Sequence, residues 1–230
     1  MPTVSDAITY SRQKAQTDSN GISNVNGLAW ANNGLIDITR DLIVRGIDAA
    51  QTQEAYATIS ASDAQPGRFS WPSDMFALKT VEIDFSNSGG DDYLQAEKLD
   101  VANLQGNTSW DYLRANQSTS SPMFTNHGDT GEIFPTPVAG SPALIRIYYY
   151  LTPTEYSAVG NTIAYPQSLD YRALGDKILI AYYESLEKWE SAQIWEQKYT
   201  KKLNDSIKIL APQSKQPIKP EKLRMTGWNF

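Results

Sequence analysis

Apolar residues near the N-terminus repeat with the period of an α-helix. Their spacing predicts a first helix over residues 3–17, which Thr3 or Ser5 can cap. The Asn-rich stretch 19–33 contains many turn-forming residues and gives no clear helix signal. A second helix is predicted over residues 35–46, because apolar side chains there return every three or four positions.

In the middle of the chain the period of the apolar positions changes to two. Residues 78–85 alternate apolar and polar side chains, which is typical of a strand with one buried face. Residues 93–99 fit either a returning strand or the start of a helix, and residues 110–115 form a short amphipathic piece. Further short strands are predicted at residues 55–59, 69–71, 133–134 and 144–151.

A helical period returns over residues 169–210. No proline or glycine lies between Gly175 and Pro212, so the pattern predicts one long helix of roughly 30 residues. Aromatic side chains at Tyr182, Trp189 and Trp195 are expected to cover the N-terminal helices. Three prolines then predict an extended C-terminal tail, which we define as residues 211–230.

These elements predict an α+β fold. About 100 residues of short strands lie between the helical ends of the chain. The expected divisions are N-terminal helices at 1–50, a β-rich insertion at 51–165, the long helix at 166–210, and the extended C-terminal tail.

Composition removes several classes of function. The 230 residues include no cysteine and one histidine, so disulfide frameworks, zinc ribbons, iron–sulfur clusters and cysteine nucleophiles are excluded. Any site that needs two imidazoles is excluded as well. No apolar run approaches the roughly 20 residues that cross a bilayer, and the N-terminus has no signal-peptide pattern. We therefore expect a soluble protein that is made in the cytoplasm.

The charge is distributed unevenly along the sequence. Residues 198–230 contain eight basic and two acidic residues, a net charge of +6, whereas residues 1–197 contain 12 basic and 24 acidic residues, a net charge of −12. An acidic body repels the phosphates of nucleic acid. The basic end could bind DNA or an acidic protein surface, or could simply be a solvated extension.

Candidate chemical sites are few. His127 lies among turn-forming residues, which favours a histidine of a hairpin turn over a general base. Asp91 and Asp92 could offer oxygen ligands to a hard cation, but the spacing of a calcium loop is absent. No phosphate-binding glycine loop occurs. We predict no catalytic residues, no resident metal and no cofactor.

Four stretches, taken in order, are similar to a known family. They are Trp30 followed by Leu35–Leu42; Trp71-Pro72-Ser73-Asp74-Met75-Phe76 before the strand 81–85; Pro122-Met123-Phe124 followed by Glu132–Pro137 and Ile145–Tyr149; and the C-terminal helix with Trp195 and Tyr199. Together they resemble the head-to-tail adaptor (connector or neck) proteins of tailed bacteriophages over most of residues 1–205.

The resemblance implies a helical bundle, made of the N-terminal helices and one long C-terminal helix, that is interrupted by an inserted antiparallel β-sandwich or barrel-like domain. It also implies a structural virion protein with no catalytic activity. Such adaptors form a homo-oligomeric ring, typically of twelve copies, beneath the portal protein. The ring extends the DNA channel and offers an attachment platform to tail or tail-completion proteins. We therefore expect a location in the virion neck, assembly in the host cytoplasm, passage of DNA without tight or sequence-specific binding, and no membrane partner.

In such adaptors the C-terminal segment often extends into the neighbouring portal ring. A basic, proline-containing segment that cannot fold alone is suited to docking by becoming ordered on a partner. The portal-docking residues expected on this basis are Lys215, Lys219, Lys222, Arg224 and Trp228.

Two other functions are compatible with the residues. A β-sandwich rich in tyrosine and tryptophan could be a carbohydrate-binding or receptor-binding virion module, which would require an exposed aromatic cluster. A hydrolase built on His127 would require a serine and an aspartate close to that histidine.

Overall fold

The computed structural model describes residues 1–45, 52–59, 67–86, 92–99, 110–138, 141–163 and 169–214. The chain divides into two compact units. Unit 1 comprises Met1–Ala49 and Glu155–Phe230, and unit 2 comprises Ala50–Thr154. The structure confirms a mixed α and β fold, because helices dominate the described part of unit 1 and strands that of unit 2.

The described elements are as follows in chain order. The helices are α1 (Val4–Ala15), α2 (Asn24–Val44), α3 (Trp110–Asn116), α4 (Arg172–Ser185) and α5 (Trp189–Ser214). The strands are β1 (Thr52–Ile59), β2 (Arg68–Ser70), β3 (Met75–Asp84), β4 (Leu94–Gln95), β5 (Glu97–Lys98), β6 (Met123–His127), β7 (Thr130–Phe134) and β8 (Ala143–Leu151).

Helix α1 begins where the sequence predicts. The Thr3 hydroxyl accepts a hydrogen bond from the Asp6 amide, and the Asp6 carboxylate accepts one from the Thr3 amide, which completes a capping box. Val4 and Ile8 are fully buried on its inner face. The predicted first helix is confirmed.

Helix α2 begins earlier than its clear apolar stripe, at Asn24 inside the Asn-rich stretch. The Ser23 hydroxyl caps it by accepting a hydrogen bond from the Asn26 amide. Ala31 is fully buried, so packing stabilises a turn-rich sequence as helix. Tertiary contacts here override a weak local propensity.

The long C-terminal helix predicted from the sequence is wrong, because two helices occupy that region. Helix α4 ends at Ser185 and α5 starts at Trp189. Glu187 adopts a left-handed backbone with φ 56° and reverses the chain. This turn lets α5 pack along α4, and α5 buries Tyr199 and Leu203 in the core of unit 1. One continuous straight helix could not fold back on itself. The apolar face that carries Tyr199 and Leu203 would then not be covered by α4.

Two details of the C-terminal region also differ from expectation. Trp189 does not cover the N-terminal helices, since 60% of it is exposed, whereas Tyr182 and Trp195 do pack against the core of unit 1. Helix α5 also continues through Pro212 to Ser214, so the first four residues of the C-terminal tail are helical. A proline this close to a helix end removes only one backbone hydrogen bond.

The helices of unit 1 approach one another closely at glycines. A Cβ on Gly175 of α4 would lie 2.5 Å from a ring carbon of Tyr10, and one on Gly27 of α2 would lie 2.9 Å from the Ile8 side chain. The loop after unit 2 closes this bundle, because the Asn161 carbonyl accepts a hydrogen bond from the Val4 amide at 3.0 Å. The core of unit 1 therefore joins the start and the end of the chain.

The described strands of unit 2 form two four-stranded sheets, with strand orders β1-β8-β3-β4 and β2-β7-β6-β5. The predicted strands at 55–59, 69–71, 78–85, 133–134 and 144–151 correspond to β1, β2, β3, β7 and β8. Residues from both sheets, among them Ile59, Val81, Phe124, Ile133 and Ile147, form one hydrophobic core. Two sheets that share a core agree with the sandwich part of the prediction.

Two features of the predicted β domain are corrected. The described strands form no closed barrel, since each sheet ends in edge strands. The domain is also not wholly antiparallel, because β5 pairs with β6 in parallel. Residues 94–98 form strands β4 and β5, which settles the choice between strand and helix there. The hairpin turn predicted at residues 87–90 lies outside the described residues.

Candidate functional surfaces

The expected portal-docking residues Lys215, Lys219, Lys222, Arg224 and Trp228 all lie outside the described residues. Asp91 of the candidate cation site lies outside them too, whereas Asp92 is described and exposed. Within the described ranges, no group of three or more histidine, aspartate or glutamate side chains could hold a metal ion.

His127 lies at the end of β6, where the chain turns through Gly128 with φ 74° into β7. Its Nε2 atom is 3.0 Å from a carboxylate oxygen of Glu132, and its ring lies 5.8 Å from that of Trp110. The histidine thus belongs to a charged cluster around Glu132 and flanks a turn, as its neighbours in the sequence predict.

Glu132 is the centre of this cluster, and the sequence analysis did not single it out. Its side chain is 1% exposed, and the Arg114 Nε atom donates a hydrogen bond to it at 2.7 Å. The Arg68 guanidinium lies 3.6 Å from the second carboxylate oxygen. The hydrogen bond with Glu132 raises the pKa of Arg114 above its ordinary value. The sequence signal that could have identified Glu132 is its position directly before the apolar pair Ile133-Phe134 of a predicted strand.

A second buried charged group lies in unit 1. The Asp176 side chain is fully buried, and it accepts hydrogen bonds from the Lys202 ammonium at 2.5 Å and the Tyr10 hydroxyl at 3.1 Å. Burial would lower the pKa of Lys202, but its hydrogen bonds to Asp176 and Tyr10 outweigh this and raise the pKa. The three groups join α1, α4 and α5 and satisfy one another.

The cleft above this group is not a charged binding site. It has a volume of about 440 Å³ and is lined by residues that include Lys14, Arg172 and Lys202. Acidic partners balance two of these cations, because Asp170 lies 3.7 Å from Arg172 and Asp176 holds Lys202. We therefore assign it no ligand.

The outward face of the sheet β1-β8-β3-β4 carries an ordered group of aromatic and charged side chains. The Arg146 guanidinium lies 4.2 Å from the ring centre of Tyr93 and 5.4 Å from that of Tyr148. It also donates hydrogen bonds to Glu82 at 2.5 and 2.8 Å. Beside it, Tyr56 is 64% exposed. Tyrosine and arginine are enriched at the centres of protein interfaces.

A further exposed apolar patch lies at the turn between α4 and α5. Leu186 and Trp189 are 44% and 60% exposed. Large apolar side chains grouped in this way mark contact surfaces more often than single ones do. None of the described helices is both long enough and apolar enough to cross a membrane.

The two units differ in charge. Unit 2 contains 12 acidic and 5 basic residues, a net charge of −7, whereas unit 1 contains 14 acidic and 15 basic residues, a net charge of +1. The negative charge of the chain is thus concentrated in the β-rich unit. The sequence split at residue 198 did not show this division.

Comparison with known proteins identifies the family of this chain. The family model described as "SU10 adaptor protein" matches residues 2–220. The chain belongs to this family. The match covers nearly all of the chain, which confirms the resemblance to phage head-to-tail adaptors. A search of curated proteins finds no match.

Membership in the SU10 adaptor family gives the chain a structural role in a bacteriophage particle. It implies a place at the virion neck, oligomerisation, and contact with portal and tail proteins. The family is a structural one, and this agrees with the absence of a predicted catalytic site in the sequence.

Proposed function

We propose that this chain forms a ring of twelve copies beneath the portal, where it extends the DNA channel and provides the platform for tail attachment. The family match over residues 2–220 carries the proposal. The exposed tyrosine–arginine sheet face and the apolar patch at the α4–α5 turn support it, since a ring subunit needs several contact surfaces.

The test is the mass of the assembly with and without a candidate portal. The purified chain is mixed with portal rings, and the complex is measured by native mass spectrometry and by electron microscopy. We expect a ring with twelvefold symmetry on the portal, whereas the chain alone can be monomeric. A chain that stays monomeric in the presence of its portal contradicts the proposal.

The acidic unit 2 supports passage of DNA without tight binding. A net charge of −7 on each copy, repeated around a ring, repels phosphate groups so that DNA slides rather than sticks. We expect duplex DNA to bind the full chain weakly at physiological salt. Tight binding that weakens steeply as salt increases would contradict this part of the proposal.

We further propose that the C-terminal tail docks on the portal through Lys215, Lys219, Lys222, Arg224 and Trp228. Because α5 continues to Ser214, truncation after that residue removes these side chains and leaves the helix complete. The truncated chain should lose most of its affinity for portal rings.

A matched control keeps the tail and changes charge elsewhere. Lys201 and Lys208 are exposed on α5, so the double variant Lys201→Glu and Lys208→Glu alters charge on the same helix. It should bind the portal nearly as well as the unchanged chain. Normal portal affinity of the truncated chain would show that the tail does not dock there.

A carbohydrate-binding or receptor-binding module is a second candidate, and one observation favours it. The exposed Tyr56 ring, with Tyr93, Tyr148 and Arg146 beside it, is the aromatic cluster that this function requires. A glycan array distinguishes the two candidates. Glycan binding that Tyr56→Ala abolishes would support the carbohydrate-binding module. If no glycan binds, the adaptor function is the one candidate that remains.

A further inference from the structure

Among the described strands of unit 2, three of the four sheet edges are very short and one is long. The edge strands β4 and β5 have two residues each and β2 has three, whereas β1 has eight. β1 pairs with β8 without a bulge from Thr52 to Ile59. Among the described residues, no strand pairs with its other side. Soluble proteins usually shorten, bend or cover such edges, because the unpaired backbone groups recruit another strand.

The two faces of β1 differ in chemistry. On the outward face, Glu54, Tyr56 and Thr58 are exposed. On the inward face, Ala55 and Ala57 are partly buried against the core of unit 2. Small side chains at the border of a core leave room for larger apolar side chains from an added strand. The edge therefore fits an extended segment that is apolar on one face and basic on the other.

The end of this chain has that pattern. After Pro220, residues 222–226 read Lys-Leu-Arg-Met-Thr, in which polar and apolar side chains alternate. The stretch before it contains Pro217 and Pro220, which cannot donate backbone hydrogen bonds to a sheet. The eight residue steps from Ser214 to Lys222 span up to about 26 Å, so the segment can reach beyond the end of α5.

We propose that residues 222–226 of one copy add as a strand to the free edge of β1 in the neighbouring copy of the ring. Leu223 and Met225 cover Ala55 and Ala57 on the inward face. Lys222 and Arg224 lie on the outward face with Glu54 and Tyr56, where they remain available to the portal. The basic segment meets a unit with a net charge of −7, so the charges are complementary.

This contact is heterologous, since the end of one copy meets the sheet of the next. Contacts of this kind form a ring when the rotation between neighbouring copies closes, whereas pairing of two β1 strands would produce isolated dimers. The inference rests on the proposed ring but adds a contact that family membership does not specify. Strand addition gives affinity through the backbone and specificity through alternate side chains.

Engineered disulfides test the contact directly, because the chain has no cysteine of its own. Opposed side chains on one face of a sheet have Cβ atoms about 5 Å apart, close enough for a disulfide after a small adjustment. The double variants Ala55→Cys with Met225→Cys and Ala57→Cys with Met225→Cys place both thiols on the inward face. The matched control, Thr58→Cys with Met225→Cys, places them on opposite faces.

Each variant is assembled on portal rings, oxidised and run on a non-reducing gel. We expect a ladder of covalent multimers from at least one inward pair and monomers from the control. Rings that form without a ladder from either inward pair overturn this inference and leave the proposed function intact. An equally strong ladder from the control also overturns it. If no ring forms on the portal, the proposed function fails as well.

Discussion

Glu132 shows how much a single buried side chain depends on residues far from it in the sequence. Its carboxylate lies between Arg114 and Arg68, and His127 contacts the same group. The hydrophobic pattern of β7 alone does not reveal these partners, because all three come from other elements. The alternation of strand residues predicts which face Glu132 takes but not what neutralises it.

We predict that Glu132→Gln destabilises unit 2. The change removes a buried charge and leaves Arg114 and Arg68 without their carboxylate, which should lower the free energy of unfolding by about 1–3 kcal/mol. Hydrogen exchange of the β7 amides at increasing denaturant concentration measures this loss of unfolding free energy.

Asp111→Asn is the matched control for Glu132→Gln. Asp111 also contacts Arg114, but its side chain is 90% exposed. An exposed ion pair contributes little, so this variant should change stability by less than about 0.5 kcal/mol. Equal effects of the two variants would contradict the role assigned to burial.

Tyr199 predicts a loss of stability at high pH. Burial and the hydrogen bond to Asp41 raise the pKa of Tyr199 well above its ordinary value of 10.0. The folded chain therefore keeps the phenol neutral, whereas the unfolded chain ionises it near the ordinary value. Stability from this group is complete below pH 10.0 and decreases as the pH rises above it.

Denaturation curves at several pH values measure this dependence. Tyr199→Phe should lower stability at neutral pH by about 1–2 kcal/mol through the lost hydrogen bond, and should make the decrease above pH 10.0 shallower. As a control at neutral pH, Tyr112→Phe at an exposed position should change the free energy of unfolding by less than about 0.5 kcal/mol. An unchanged slope in Tyr199→Phe would contradict the prediction.

At the scale of elements, the periodicity of the sequence predicts most helices and strands but not where α4 ends. The apolar stripe continues from residue 169 to residue 210 without a proline or glycine between Gly175 and Pro212, so local pattern predicts one helix. The reversal at Glu187 occurs because both helices can then bury their apolar faces in the core of unit 1. That gain depends on distant residues, which a local pattern does not contain.

The left-handed backbone of Glu187 provides a test of this turn. A non-glycine residue in this region costs about 1–2 kcal/mol, and glycine removes most of that cost. We predict that Glu187→Gly stabilises the chain by about 0.5 kcal/mol, measured by chemical denaturation. Gln197→Gly, at an exposed position in the interior of α5, should instead destabilise it by about 1 kcal/mol. A continuous helix would make both variants destabilising.

At the scale of the whole molecule, the chain folds into two units that each have a hydrophobic core. Unit 1 uses both ends of the sequence, and unit 2 lies between them with a core of its own. Because unit 2 is continuous in the sequence, we predict that the fragment of residues 50–154 folds alone. Circular dichroism and dispersed amide resonances would show this.

A shorter fragment serves as the control for independent folding of unit 2. Residues 67–154 lack β1 and the buried Ile59, so this fragment should be much less stable. If residues 50–154 were unfolded under the same conditions, unit 2 would depend on the rest of the chain. We do not expect that outcome, because the two sheets of unit 2 share a hydrophobic core of their own.

The sequence by itself determined the helical ends, the strand-rich middle, the unequal charge and the resemblance to phage adaptors. These depend on local spacing and composition, which each segment carries independently of its neighbours. Only the tertiary structure decided that α5 folds back on α4, that Glu132 contacts three cationic or polar partners, and that β1 is the longest edge strand among the described residues. These depend on which distant segments meet, and burial at those meetings can outweigh local preference.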